Sequence, residues 1–137
     1  MVTLNHIGIV TAHPRRLFNF YSNKLGFEKS QETVLPEDIV YSIFKIPQPC
    51  TMAKLTKDGT CLEVFWFKNY RLKPRAKETA GYNHFGMEIK DREEFLTGLR
   101  REYHLKVTTI KRGDHYNYFI QDPDKNIIEI KELSASK

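Results

Sequence analysis

The sequence predicts an α+β protein built from two copies of one βαβββ module, and three observations carry that expectation. A short motif occurs twice: Asn5-His6-Ile7-Gly8 returns as Asn83-His84-Phe85-Gly86. Each copy opens a strand-like segment and is followed by an apolar stripe of helical period. Each copy then ends on a strand with a central glutamate, Leu62-Glu63-Val64 in the first and Ile128-Glu129-Ile130 in the second. Internal duplication of this kind decides the architecture before any single element does.

The elements follow in order. Residues 4–10 are expected as the first strand. Leu17, Phe20, Tyr21 and Leu25 then recur at i, i+3, i+4 and i+8, the spacing of one helix face. Pro14 suits a first turn, where its missing N–H is no loss, and Gly26 suits the stop. Residues 27–34, 39–46, 51–56 and 61–67 are rich in apolar and β-favouring side chains and are expected as strands. The second copy runs from a strand at 82–90 to a helix that Asp91 can cap and that Phe95, Leu96 and Leu99 make amphipathic. Strands at 105–111, 115–121 and 126–132 complete it. The single domain of residues 1–137 is thus expected as module one (1–67), a basic linker (68–80) and module two (81–137).

Composition narrows the function classes. With 137 residues, 40% of them hydrophobic and 28% charged, the chain can bury the core of one globular domain. No apolar run approaches the roughly 20 residues of a membrane-spanning helix. The first residues show neither the basic region nor the apolar core of a secretory leader, so a cytoplasmic location is expected. Two cysteines, Cys50 and Cys61, make neither a disulfide framework nor a zinc-type pair. The net charge of +5 owes much to Lys68, Arg71, Lys73, Arg75 and Lys77. No base-stacking motif or recognition helix accompanies that run, and Pro74 interrupts it. A solvated linker, or a rim attracting an anionic substrate, is expected in preference to a nucleic-acid surface.

The duplicated residues point to chemistry through strand alternation. Ile7 and Ile9 share one face of the first strand, and His6 and Gly8 the other. Phe85, Met87 and Ile89 oppose His84 and Gly86 in the same way. Both histidines therefore point away from the helix layer. Leu62, Val64 and Trp66 oppose Cys61, Glu63, Phe65 and Phe67, and Ile128 and Ile130 oppose Glu129. A carboxylate among phenylalanines is costly to desolvate, and one divalent cation would compensate two. Taken singly, a strand histidine is more often structural and a strand glutamate more often solvated. The repeated order His…Glu, His…Glu favours a metal cluster of His6, Glu63, His84 and Glu129, although alternation alone does not bring the four together. His115, Phe65, Phe67 and Tyr118 are candidate pocket residues. His13 and His104 read as helix ends, Asp122-Pro123-Asp124 as a hairpin turn, and Cys61 as packing.

Over nearly its whole length the sequence resembles the vicinal oxygen chelate superfamily, which includes glyoxalases, bleomycin-resistance proteins and dioxygenases. The residues that carry the likeness are 4–10, Phe20-Tyr21 with Leu25-Gly26-Phe27, 83–87, and Asp122-Pro123-Asp124 leading to Glu129. The resemblance implies a curved, mostly antiparallel eight-stranded sheet with helices on its outer face, cupping one divalent ion, and a homodimer. The ligand order is similar to that of glyoxalase I. It differs from the two His and one Glu of extradiol dioxygenases, from fosfomycin-resistance transferases, which lack a glutamate at position 63, and from methylmalonyl-CoA epimerases, which carry Gln there. Bleomycin-binding members have no metal set. Two departures from glyoxalase I stand out. No Arg follows the first histidine in Ile9-Val10-Thr11, and Lys125-Asn126 replaces the usual Gly of the last turn, so glutathione as the thiol does not follow.

Two imidazoles and two carboxylates suit Zn²⁺, Ni²⁺, Co²⁺ or Mn²⁺ ahead of iron. The resemblance implies a lyase or isomerase that moves a proton next to a carbonyl in a 2-oxoaldehyde–thiol adduct. Glu63 and Glu129 would be the metal-bound bases and His6 and His84 spectators. Another metal-dependent enzyme of the superfamily (epimerase, thiol transferase or dioxygenase) and a non-catalytic resistance-type binder are the alternatives. In each case the partner is a small molecule, with an anionic thiol conjugate as one candidate.

Overall fold

The computed structural model describes residues 1–73 and 75–134. Pro74 of the basic run and the last three residues of module two lie outside them. The chain forms two compact units, Met1–Arg75 and Ala76–Lys137, and their boundary falls inside the basic stretch at 68–80. The α+β class holds, with nine strands among the described residues, five in the sheet of the first unit and four in that of the second.

In the first unit β1 (Ile7–Val10) lies parallel to β5 (Thr60–Trp66), which pairs antiparallel with β4 (Cys50–Lys57). Two short strands, β2 (Glu28–Lys29) and β3 (Thr33–Leu35), pair with opposite ends of β4. They stand where one strand over 27–34 was expected. Between them Ser30 takes over the ladder: its N–H donates to the Lys54 carbonyl at 2.9 Å, and its hydroxyl accepts the Lys54 N–H at 2.8 Å. Helix α1 (Pro14–Asn19) starts at its proline and runs on into a π-helical turn at Phe20–Lys24. The wider turn lets Leu17, Phe20, Tyr21, Leu25 and Phe27 all be buried, as the apolar stripe required. Phe18 stands edge-on to Trp66, so α1 covers the face of β5 that carries Leu62 and Val64.

The expected strand at 39–46 is a helix, α2 (Glu37–Phe44). Its residues fit both periods, since Ile39, Tyr41 and Ile43 alternate while Val40 and Phe44 are one turn apart. Pro36 ahead of it and Glu37 and Asp38 in its first turn favour a helix start, the acids facing the positive end of the helix dipole. Packing completes the choice. Val40 is fully buried with Cys50 and Phe65, and Phe44, Met52 and Phe67 close around them. These strand residues share the Glu63 side of the sheet, so α2 walls one end of that side. Burial raises the Cys50 thiol above its ordinary pKa, as expected of an inert packing group.

In the second unit β6 (His84–Ile89) lies parallel to β9 (Ile127–Glu132), and β8 (His115–Gln121) pairs antiparallel with β9 and with β7 (Thr108–Arg112). Helix α3 (Arg92–Tyr103) buries Leu96 and Leu99, and Ile120, Ile128 and Ile130 are buried on one face of the sheet. Asp91 does not cap α3 with its side chain. It is itself in the left-handed region (φ 54°), where its carboxylate makes no cap hydrogen bond. Glu132 at the end of β9 does so instead, accepting the N–H groups of Asp91 at 3.0 Å and Arg92 at 2.9 Å.

Candidate metal centre

Each unit builds the same constellation on the parallel strand pair at one edge of its sheet. In the first, the register places Gly8 directly beside Glu63; in the second it places Gly86 beside Glu129. Each histidine lies two residues before its glycine, on the same face, and reaches diagonally to the carboxylate. His6 Nε2 is 3.5 Å from Glu63 Oε2, and His84 Nε2 is 3.6 Å from Glu129 Oε2. The glycines leave this diagonal free of a side chain. The two glutamates are 18% and 13% exposed, the two histidines 43% and 39%, so in both units the carboxylate is the deeper group.

The asparagine before each histidine fixes its tautomer. Asn5 Oδ1 accepts from His6 Nδ1 at 2.7 Å, and Asn83 Oδ1 from His84 Nδ1 at 2.9 Å. A proton on Nδ1 leaves the Nε2 lone pair aimed at the carboxylate. At 3.5 to 3.6 Å the two groups are too far apart for an ordinary hydrogen bond, and two facing lone pairs repel unless a proton or a metal cation lies between them. With bonds of about 2.0 to 2.2 Å, imidazole nitrogen and carboxylate oxygen fit that spacing on a common divalent ion. The neutral imidazole held by a hydrogen bond on its far nitrogen is also what metal ligation uses. The structure thus brings His6 to Glu63 and His84 to Glu129, and no group of three or more His, Cys, Asp or Glu among the described residues is placed to hold a metal ion.

The half-sites differ around the carboxylate. Glu129 Oε1 accepts from Asn117 Nδ2 at 3.3 Å and lies 3.5 Å from Lys131 Nζ. Phe119, directly across from Glu129, stands edge-on to the His84 ring at 5.7 Å. Glu63 has no partner but His6 among the described residues. Lys54 is directly across from it, yet forms no ion pair with it.

The candidate pocket residues fall into three groups. Phe65 and Phe67 lie on the Glu63 side, with Phe44 of α2 at ring distances of 5.1 and 6.4 Å. His115 shares the Glu129 side of β8 but sits exposed at the β7–β8 hairpin, with Asp114 at 3.4 Å. Tyr118 lies on the opposite side, paired with Ile130 and stacked under Arg92 at 4.7 Å. Burial and a hydrogen bond to Glu93 raise its hydroxyl pKa, and it does not line the ligand face. Phe119 takes the place expected of it. The sequence held a signal for Asn5 and Asn83, which repeat with their histidines, and for Lys131, which strand alternation puts on the Glu129 face; Asn117 had none, because its role depends on cross-strand register. The Asp122 group is turn chemistry as expected. Its Oδ1 accepts from the N–H groups of Asp124 and Asn126, both at 2.9 Å, with Lys125 left-handed at φ 66°.

Comparison with known proteins places the fold. No curated protein sequence matches the chain. Among solved structures, a glyoxalase family protein from Enterococcus faecalis is 23% identical, with 95% of this chain and 97% of that one covered and a TM-score of 0.72. The trypanothione-dependent glyoxalase I of Leishmania major is 19% identical over 96% and 87%, with a TM-score of 0.70. A mutant of the fosfomycin resistance protein FosX from Listeria monocytogenes, complexed with Mn(II) and a dihydroxypropylphosphonic acid, is 12% identical over 99% and 96%, with a TM-score of 0.63. At these identities the likeness establishes the fold. The family pattern described as Glyoxalase/Bleomycin resistance protein/Dioxygenase superfamily matches residues 3–130, and the chain belongs to that superfamily.

Proposed function

We propose that His6, Glu63, His84 and Glu129 together hold one divalent cation, and that the protein is a glyoxalase I-like lyase or isomerase acting on a 2-oxoaldehyde–thiol adduct. The reading includes a cytoplasmic homodimer and one continuous domain over residues 1–137. The observation that carries it is the duplicated half-site, in which a tautomer-fixed imidazole faces a carboxylate at 3.5 Å and again at 3.6 Å. Support comes also from the structural neighbours, of which one is a glyoxalase I and another is a complex with Mn(II).

The chain's own residues then divide the work. A bound divalent cation would supply Lewis-acid polarisation of a substrate carbonyl or enediol oxygen, acidifying the neighbouring C–H. Glu129, tethered by Asn117 and Lys131, stays in place as a ligand. Glu63, held only by His6, is free to shift, take the proton from one carbon and return it to the next. His6 and His84 keep their Nδ1 protons on Asn5 and Asn83 and take no part in the transfer. Phe65 and Phe67 keep water from the Glu63 side.

The test is metal analysis of the purified protein coupled to turnover of methylglyoxal–thiol adducts. Stoichiometric metal is expected, lost in Glu63→Ala and in Glu129→Ala, with thioester formed by at least one metal and thiol pairing. Bound metal with no thioester across Zn²⁺, Ni²⁺, Co²⁺ and Mn²⁺ and several thiols would remove the lyase assignment. Absence of metal would remove the centre itself.

A further inference from the structure

On the ligand side of the first sheet, successive rungs bring together three kinds of surface. One rung reads Gly8–Glu63–Lys54 and the next but one Val10–Phe65–Met52, by the register of β1, β5 and β4. Opposed side chains in adjacent strands lie about 5 Å apart and share a face. The ligand pair His6–Glu63 is therefore flanked by the Lys54 ammonium across the sheet. Farther along the strands the same side carries Val10, which is exposed, and Met52, which is partly buried. An acid and a base placed across a ladder ordinarily pair, and in the second unit Glu129 has Lys131, two residues on along its own strand, at 3.5 Å. Lys54 does not: its backbone is tied to Ser30, but its Nζ has neither hydrogen bond nor ion pair among the described residues. The Lys54 ammonium is left without a partner among the described residues, on a residue directly across from Glu63.

We propose that Lys54 is an anion-binding residue of this centre, and that the substrate carries its own carboxylate or phosphonate-type group next to the oxygens it presents to the cation. The inference rests on the metal reading of His6 and Glu63. It narrows the substrate to one bearing an oxyacid group that Lys54 reaches while its apolar portion lies on Met52 and Val10. A neutral substrate of the same shape would leave the ammonium unpaired and gain nothing from it. Because Lys54 is exposed, its contribution is screened by salt and weakens as ionic strength rises.

Calorimetric titration of the Mn(II)-loaded protein with three hydroxamates, those of acetate, succinate and phosphonopropionate, tests this. All three offer the same two oxygens to the cation, and the latter two add a carboxylate or a phosphonate. At low salt the anionic probes are expected to bind about ten-fold more tightly than acetohydroxamate, the scale of one charge-assisted hydrogen bond. The stronger of the two identifies the preferred group. Lys54→Met should abolish that advantage while leaving acetohydroxamate unchanged, and Lys54→Arg should restore it. An advantage that survives Lys54→Met, or that disappears in Lys131→Met instead, overturns the proposal while leaving the metal centre standing. Failure of Mn(II) or acetohydroxamate to bind overturns the metal reading, and the role of Lys54 with it.

Discussion

The two units present one constellation with different surroundings. Both place a glycine beside a glutamate and a histidine diagonal to it, and both fix the imidazole with a preceding asparagine. In the second unit the carboxylate is gripped by Asn117 and Lys131. In the first, the glutamate has only its histidine among the described residues, and a helix with no counterpart among those of the second unit walls the same side. Duplication has kept the histidine–glutamate geometry and varied what determines how tightly each carboxylate is held. A pinned ligand and a free one are suited to different tasks.

The sharpest way to break this contrast is to neutralise each carboxylate in turn. Glu63→Gln is expected to lower kcat by about 10³-fold with metal retained, within the range of general-base losses. Glu129→Gln should act chiefly through metal affinity. Equal losses of kcat at equal metal occupancy would erase the division of roles. Next in size is the wall: Phe44→Ala should destabilise the protein by about 2 kcal/mol in urea unfolding, since Phe44 is partly buried against Phe65 and Phe67. Asn117→Ala should weaken metal binding about ten-fold by competition with a chelating dye, as expected for a group that orients a ligand. No residue across from Glu63 should behave the same way, and Lys54→Met should leave Mn(II) affinity unchanged. Smallest is Lys125→Gly, which relieves a left-handed lysine and should raise Tm by roughly 3 °C, read by calorimetry.

The sequence made some of this legible for a clear physical reason. Strand alternation is strictly two-fold, so the phase of His6 and Gly8 against Ile7 and Ile9, or of Glu63 against Leu62 and Val64, is written locally. The structure bears it out in the full burial of Leu62, Val64, Ile128 and Ile130 behind their glutamates. Helix α2 escaped because Ile39–Phe44 satisfies both the strand and the helix period, and the decisive partner, Phe65, is distant in sequence. Tyr118 was mistaken for a lining residue, and Asn117 and Phe119 were overlooked, for one shared reason. Which residues of β8 face Glu129 is decided by the β8–β9 register, which depends on the turn at Asp122 as much as on either strand.

The glycine beside each glutamate has a bearing on how the chain finds its native pairing. Sliding β1 past β5, or β6 past β9, by a single residue would set Ile7 or Phe85 against the carboxylate and drive either a charged or a large side chain onto the wrong side. Any cation that requires imidazole and carboxylate together is bound only by the correctly aligned ladder. Binding would then act as a proofreader of β-sheet alignment, rewarding the one pairing that also makes the chemistry available.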